Sequence, residues 1–336
     1  PGTHGTHVMD IAGGNGRGTG VPGLAPEADL IFVNISHAND AQGTSAVGKS
    51  FGDSVRLLEG LKYIFDKAGS RPAVINVSLG TNGGPHDGTT LVEQGIDGLL
   101  KAQNNRAIVL AAANSFDDGI HATGNVVAGQ HHDLSWEVLN TLSSDIELEI
   151  WYSGSDRFKV DLLDPAGNVL VSVPPGSTQT LQADGQLAVL VANRLDDPNN
   201  HDNMIGVFFS EGMPGGTYTL RLHGVQVSNG LYHAWIERDN SFQSRFAAPH
   251  DSSHTIGSIS CGHSSIVVGS YDGHKASLPL SYFSSSGPTR DGRQKPELSA
   301  PGHSVRAAKS STKTESRLMS GTSMAAPAVA GIIALI

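Results

Sequence analysis

A single cysteine, Cys261, stands in 336 residues, so no disulfide can form within the chain and the redox compartment is left open. Basic residues are scarce too: 22 Lys and Arg face 32 Asp and Glu, for a net charge of −10. Phosphate binding needs a basic face, so this balance argues against a nucleic-acid partner. No apolar run reaches the roughly 20 residues that a membrane helix needs, and the terminal GIIALI is far shorter. Internal repeats and low-complexity tracts are absent. What is abundant is glycine, 41 of it, which suits tight turns and close-packed layers more than a helical bundle. An initiating methionine is missing as well. The chain opens at Pro1 and ends at Ile336 inside an apolar helical pattern, and it reads as a fragment truncated at both ends.

Four short apolar runs have the look of strands buried on both faces: ADLIFVNIS from Ala28, PAVINVSLG from Pro72, AIVLAAAN from Ala107 and SSIVVGSYD from Ser264. Between the first three, apolar residues recur at helical spacing. One set is Val47, Phe51, Val55, Leu58, Leu61 and Phe65; the other is Leu91, Val92, Ile96, Leu99 and Leu100. Strand–helix alternation of this kind predicts an α/β fold, a mostly parallel sheet with helices on both faces. From about Ser135 to Ile236 the period changes to two. Ile146, Leu148 and Ile150 alternate with Glu147 and Glu149, and Tyr218, Leu220 and Leu222 alternate with Thr219 and Arg221. Turn signals DPAGN, PPGS, DDPNN and MPGG separate these runs. The pattern predicts an inserted antiparallel β-sandwich at 131–245, with the parts of the α/β domain at 1–130 and 246–336.

Three stretches carry chemistry. In SGTSMAAPAVAGIIALI, Gly321 permits a sharp turn, and Ser323 falls at the start of a helix that tolerates Pro327 in its first turns. A hydroxyl there stands beside helix-end amides that favour a developing anion. In HGTHV, His4 and His7 stand three apart; a shared metal is a weak reading, since no acid sits between them and no third ligand is evident. In AAAN, Asn114 ends a buried strand, where its amide can donate to an oxyanion. Taken singly, these are an N-cap serine, a packed histidine and a turn asparagine. Together they supply a nucleophile, a base and a donor.

HGTHV, VINVSLG, VLAAAN, YFSSSGPTRDGRQKPELSAPG (Tyr282–Gly302) and GTSMAAP, in that order, resemble the subtilisin-like serine proteases, or subtilases. The resemblance covers roughly Pro1 to Ala128 and Phe246 to Ile336, and leaves out the β-rich middle. That middle is similar in placement to the jelly-roll domain of a subset of bacterial subtilases. The resemblance implies a serine endopeptidase acting on polypeptides. Ser323 is then the nucleophile, His4 the general base, His7 a packed neighbour, and Asn114 the oxyanion donor with the Ser323 backbone amide. Backbone at Ser78, Leu79, Gly80, Ala111, Ala112 and Ala113 would line the specificity pocket and pair with an extended peptide. No cofactor is needed for this chemistry. A metal site is not assigned, and the short GGNGRGTGVPGLAPEA segment gives no support for structural calcium. The family is mostly secreted or in the cell envelope; the residues themselves do not fix a location.

There are departures. Met9 and Asp10 replace the usual Ala-Gly after HGTHV, and Ala113 stands where Gly is common. The family's acid, on a strand upstream of HGTH and followed by Ser/Thr-Gly, has no counterpart: neither Asp-Ser-Gly nor Asp-Thr-Gly occurs. Asp10, six residues past His4, projects to another helix face. The acid of a Ser-His-Asp triad is therefore expected outside the fragment. The alternative function is a pseudoprotease or polypeptide-binding module on the same scaffold.

Overall fold

The computed structural model of the chain describes residues 3–35, 46–239, 242–247 and 250–336, and the side chains of all of these except residues 46–53. Val47 and Phe51 fall among those side chains, and Ser36, the last residue of the first expected strand, lies outside the described residues. Contacts divide the chain into two compact units. One is Pro1–Gly80, His86–Phe116 and Ile256–Ile336; the other is Thr81–Pro85 and Asp117–Thr255.

In chain order, the first unit carries α1 (Thr3–Gly13), α2 (Ala46–Ala68), β1 (Ala73–Val77), α3 (Leu91–Lys101) and β2 (Arg106–Ala111). The second follows with β3 (His121–Asn125), β4 (His131–Val138), β5 (Ile146–Tyr152), β6 (Arg157–Leu163), β7 (Val169–Val173) and β8 (Thr178–Ala183). It continues with β9 (Gln186–Arg194), β10 (Asn203–Phe209), β11 (Gly216–Gln226), β12 (Leu231–Ile236) and β13 (Arg245–Phe246). The first unit resumes with β14 (Ile266–Tyr271), β15 (Leu298–Pro301), β16 (Val305–Ala308), β17 (Ser316–Met319) and α4 (Thr322–Ile333).

By residues the chain is mostly β, 33% strand against 17% helix. The parallel sheet has four strands in the order β1-β2-β14-β15, while the second unit holds antiparallel sheets of six and five strands. This overturns the expectation of an α/β fold built on a mostly parallel sheet with helices on both faces. One reason is local. Residues 28–35, read as the first parallel strand, form no strand; Leu30, Ile31 and Phe32 are exposed at 49%, 39% and 44%. Apolar runs report a tendency to be buried, but a strand also needs a neighbour to take its backbone hydrogen bonds.

Within the first unit, side chains along the parallel strands alternate between two cores. Ile75 and Val77 of β1 and Ile108 and Leu110 of β2 join Leu57, Leu61 and Phe65 of α2 and Val92 and Ile96 of α3. Val109, Ala111 and Val268 join Ala325, Ala326, Val329 and Ala330 of α4. Each fully buried aliphatic side chain contributes about 1.5–3 kcal/mol. The run of small residues on α4 lets it approach α1 closely: a Cβ on Gly331 would stand 2.8 Å from both the carbonyl oxygen of Ala12 and Cβ of Leu24.

Helix α3 starts with a capping box. The Glu93 amide donates to Thr90 Oγ1 at 3.3 Å, and Glu93 Oε2 accepts from the Thr90 amide at 3.3 Å. Glu93 Oε1 accepts from the amide of Cys261, itself fully buried, at 2.8 Å. Burial outweighs these donors and raises the Glu93 carboxyl to about 7.

The second unit has the sheet orders β3-β12-β5-β10-β9-β8 and β13-β4-β11-β6-β7. Their inner faces share one core: Ile146, Leu148 and Ile150 from the first, Leu220 and Leu222 from the second. At its centre Trp136 stacks on Phe209 at 4.6 Å between ring centroids, and Tyr218 meets the same Phe209 edge-on at 4.8 Å. The unit is longer at both ends than the expected 131–245, because β3 pairs with β12 and β13 with β4. It also includes Thr81–Pro85, whose amides at Asn82, Gly83 and Gly84 donate to the carboxylates of Glu237 and Glu149. No helix among the described residues is long and apolar enough to cross a membrane.

Two predictions follow from the packing of the first unit. Helix propensity favours Ala over Gly by about 1 kcal/mol, yet Gly331→Ala should destabilise by about 1–2 kcal/mol, because the new methyl meets backbone. The same change at Gly98 in α3, where a Cβ meets nothing within 4 Å, should stabilise by about 0.5–1 kcal/mol. Urea denaturation of both variants checks the pair. Glu93 gives the second. Its folded pKa lies above the unfolded value, so the folded state holds the proton more tightly, and stability falls as pH rises from about 4.5 to about 7. Glu93→Gln should shrink the stability difference between pH 5 and pH 8 by about 1–3 kcal/mol, measured by the same denaturation.

Candidate active site

β1 and β2 run parallel in register, Val77 opposite Leu110, so the residues that follow them emerge side by side at the carboxyl end of the sheet. This is where sites form in parallel sheets. After β1, Ser78 Oγ accepts from Asn76 Nδ2 at 3.0 Å and donates to the Ser323 carbonyl at 3.1 Å. Ser78 thereby ties the end of β1 to the first turn of α4. Leu79 is exposed at 43%.

After β2 the backbone turns inward. Ala111 and Ala112 are buried. The Ala112 amide donates to Val268 O and its carbonyl accepts from the Gly257 amide, both at 3.0 Å, while Ala111 O accepts from Ser260 Oγ at 3.0 Å. These backbone groups are bonded within the molecule, which leaves Ser78–Gly80 as the more open of the two strand ends. Ala113 has φ of +85°, the left-handed region in which a Cβ costs about 1–2 kcal/mol. A glycine would sit there freely, which gives a physical meaning to the departure noted at this position. The Ala113 carbonyl accepts from the Ser285 amide at 3.2 Å and lies 3.2 Å from Thr322 Oγ1.

That turn sets the direction of Asn114. Its Oδ1 accepts from the Thr322 amide at 2.8 Å and from Thr322 Oγ1 at 3.0 Å. With the acceptor end held by two donors, the NH₂ end points elsewhere, 3.4 Å from where a Cβ on Gly321 would stand. Gly321 has φ 156° and ψ 157°, a conformation open essentially to glycine alone. Ser323 follows as the second residue of α4, half-buried, among the amides that have no partner inside the helix. Thr322 orients Asn114, a role that the sequence alone does not mark although Thr322 lies inside GTSMAAP.

His4 is exposed in the first turn of α1, a helix packed directly against α4. His7 is fully buried, with Nε2 donating to the carbonyls of Val305 at 3.1 Å and Arg317 at 3.0 Å. Burial lowers its pKa from the ordinary histidine value. This is the environment of a packed residue, and His7 does not share a ligand cluster with His4 among the described residues. Asp10 Oδ2 accepts from the Ala308 amide at 2.8 Å, so it serves the β16–β17 hairpin. His4 also lines an apolar cavity of about 1100 Å³ bounded by Leu30 and Phe32 on one side and by Ile75 and Val77 of β1 on another. β1 is the edge of the parallel sheet.

Relieving the backbone at Ala113 should be measurable. Ala113→Gly should raise stability by about 0.5–1 kcal/mol, after the greater chain entropy of glycine is set against the relief. Differential scanning calorimetry should show the thermal midpoint up by about 1–3 °C.

The sequence profile described as the subtilase family matches residues 1–191 and 241–336. An intracellular serine protease of Paenibacillus polymyxa is 26% identical over 192 residues, covering 57% of this chain and 52% of that protein. A C5a peptidase of Streptococcus pyogenes is 26% identical over an alignment covering 99% of this chain and 28% of that protein. The solved structure of the Clostridium perfringens CspB protease superposes with a TM-score of 0.82 at 25% identity, covering 99% of this chain and 69% of that one. The chain thus spans about half the length of the intracellular protease and under a third of the C5a peptidase. With the family profile matched on both sides of the gap at 192–240, and with the strand-end and helix-start geometry described above, the chain belongs to the subtilase family.

Proposed function

We propose that the chain is part of the catalytic domain of a serine endopeptidase. Ser323 Oγ attacks the carbonyl carbon of a peptide bond while His4 takes its proton, and a tetrahedral oxyanion forms. Asn114 Nδ2 and the Ser323 amide donate to that oxyanion. His4 then returns the proton to the leaving amine, and water releases the acyl group by the same steps. The observation that carries this reading is the pair of bonds from Thr322 to Asn114 Oδ1. They turn the amide donor of Asn114 toward the start of the helix that bears Ser323 without any reorganisation at the moment of reaction. Substrate main chain pairs along Ser78, Leu79 and Gly80, and the small side chains of Ala111, Ala112 and Ala113 wall the pocket, so many sequences fit. The second unit is an insertion in this domain.

The acid that orients His4 lies outside residues 1–336 and reaches it on a strand seated in the apolar cavity beside β1. Among the described residues β1 has no strand on its outer edge, and this and the position of His4 on the cavity wall support the reading. Loss of the acid alone lowers kcat by about 10⁴-fold in proteases of this triad, so residues 1–336 alone should turn over poorly.

The test uses the protein extended by its upstream coding sequence. A fluorophosphonate probe should label it, and labelling should vanish in Ser323→Ala and in His4→Ala. Asn114→Ala should lower kcat by about 10²–10³-fold with little change in KM. Labelling that persists in Ser323→Ala removes the assignment. No labelling of the extended wild type, together with no Asp-Ser-Gly or Asp-Thr-Gly upstream, favours a polypeptide-binding module instead.

A further inference from the structure

We propose that His121, His233 and His254, in the second unit, form a three-imidazole site for a divalent transition-metal ion, with zinc the natural occupant. One ring nitrogen from each lies within 4.8 Å of the others. His121 Nε2 and His233 Nδ1 are 3.0 Å apart. Nitrogens bound tetrahedrally to one zinc ion stand about 3.3 Å apart, from bonds of about 2.0–2.1 Å. The cluster therefore needs shifts of side chains and not of backbone, with the His121–His233 hydrogen bond replaced by two metal bonds.

The supports of the three rings are those of a built site. His121 opens β3 and His233 lies on β12, the paired neighbour, in a register that sets His121 opposite Trp235. His233 and Trp235 are two apart on β12, on one face, and His121 packs on both, at 5.3 Å and 5.0 Å between ring centroids. Two of the ligands are thus fixed by a sheet, which holds geometry better than loops do. The third comes from the chain after β13, where Trp235 Nε1 donates to the His254 carbonyl at 2.8 Å.

His121 Nε2 faces His233 Nδ1 in the cluster, with Asp251 Oδ2 3.7 Å from the other ring nitrogen, Nδ1. Hydrogen bonding selects the tautomer of His254. Ser253 Oγ donates its one proton to Asp251 Oδ2 at 2.7 Å, so at 2.7 Å from His254 Nδ1 it acts as an acceptor. His254 then carries its proton on Nδ1 and offers the Nε2 lone pair. A carboxylate behind a ligating histidine, here Asp251 reached from His254 through the Ser253 hydroxyl, is the usual outer partner of such a site. Three neutral imidazoles suit zinc or the neighbouring first-row ions and not calcium or magnesium, which take oxygen ligands. A fourth position remains for water. The site is independent of the chemistry proposed for Ser323.

Chelator-treated full chain should be titrated calorimetrically with Zn²⁺, and with Co²⁺ while its visible absorption is recorded. About one equivalent should bind with Kd of about 10 μM or tighter. Bound Co²⁺ should give the strong visible bands of a four-coordinate site, and zinc should raise the thermal midpoint. His254→Gln, in the half-buried member of the cluster, should weaken binding at least about 100-fold. His131→Gln, on another sheet, should leave it unchanged. X-ray absorption at the zinc edge gives a reading that needs no variant: three imidazole nitrogens are expected. Absence of saturable binding below about 100 μM zinc, binding that survives His254→Gln, or fewer than two imidazoles at the metal would overturn the proposal.

Discussion

The two hydrogen bonds from Thr322 to Asn114 Oδ1 join the end of a central parallel strand to the start of the helix that packs on it. Much of the site's geometry depends on this junction. It requires Ala113 to turn through a left-handed conformation and Gly321 to adopt one closed to other residues. It also requires α4 to begin at Thr322, whose amide and hydroxyl reach Asn114 Oδ1. The small residues that let α4 lie against the sheet and against α1 maintain that placement from behind. The left-handed turn at Ala113 is held by hydrogen bonds on both sides of it, the Ala112 carbonyl accepting from Gly257 and the Ala113 carbonyl from Ser285, the condition under which such strain persists in folded proteins.

How much of this was legible in the sequence depended on the distance over which each feature is built. GTSMAAP and HGTHV are local: glycine, small residues and a helix start sit within a few positions, so Ser323 and the histidine pair could be singled out, and the family resemblance then implied His4 as the base and His7 as a packed neighbour. The antiparallel strands of the second unit announced themselves by period two, because one face of each is buried and the other is not. The stretch 28–35 was misread, since Leu30, Ile31 and Phe32 have a strand's composition but pair with no strand here. Its error spread to the fold class, where antiparallel strands outnumber parallel ones. Thr90-Leu91-Val92-Glu93 is a capping box on its face, but that Glu93 is fully buried against Cys261 follows only from the packing of α3. His121, His233 and His254 gave no signal at all, because the pairing of β3 with β12 and the later return of the chain after β13, not spacing, bring them together.

The two units differ in what holds them. The first relies on a parallel sheet with separate cores, the second on one aromatic-centred core shared by two sheets. Within the second, carboxylates fix exposed turns: Asp156 accepts from the successive amides of Ser228, Asn229 and Gly230. Burial raises the pKa of Glu149, yet it still takes the Gly84 amide and the Trp151 indole as donors.

β2 and β14 are neighbours in the parallel sheet, although almost the whole of the second unit lies between them in the chain. Bringing such distant strands together from an unfolded chain is slow, because the loop between them must be closed before any contact rewards it. The second unit removes that obstacle by its own folding. Its two ends meet where the Phe246 amide donates to Gly119 O and the Asp251 amide to His121 O. With those bonds made, the residues that leave the second unit start close to those that enter it, so the effective loop between β2 and β14 is short. The connectivity therefore places the closure of the long segment between β2 and β14 inside the second unit itself, where the two ends of that unit are joined.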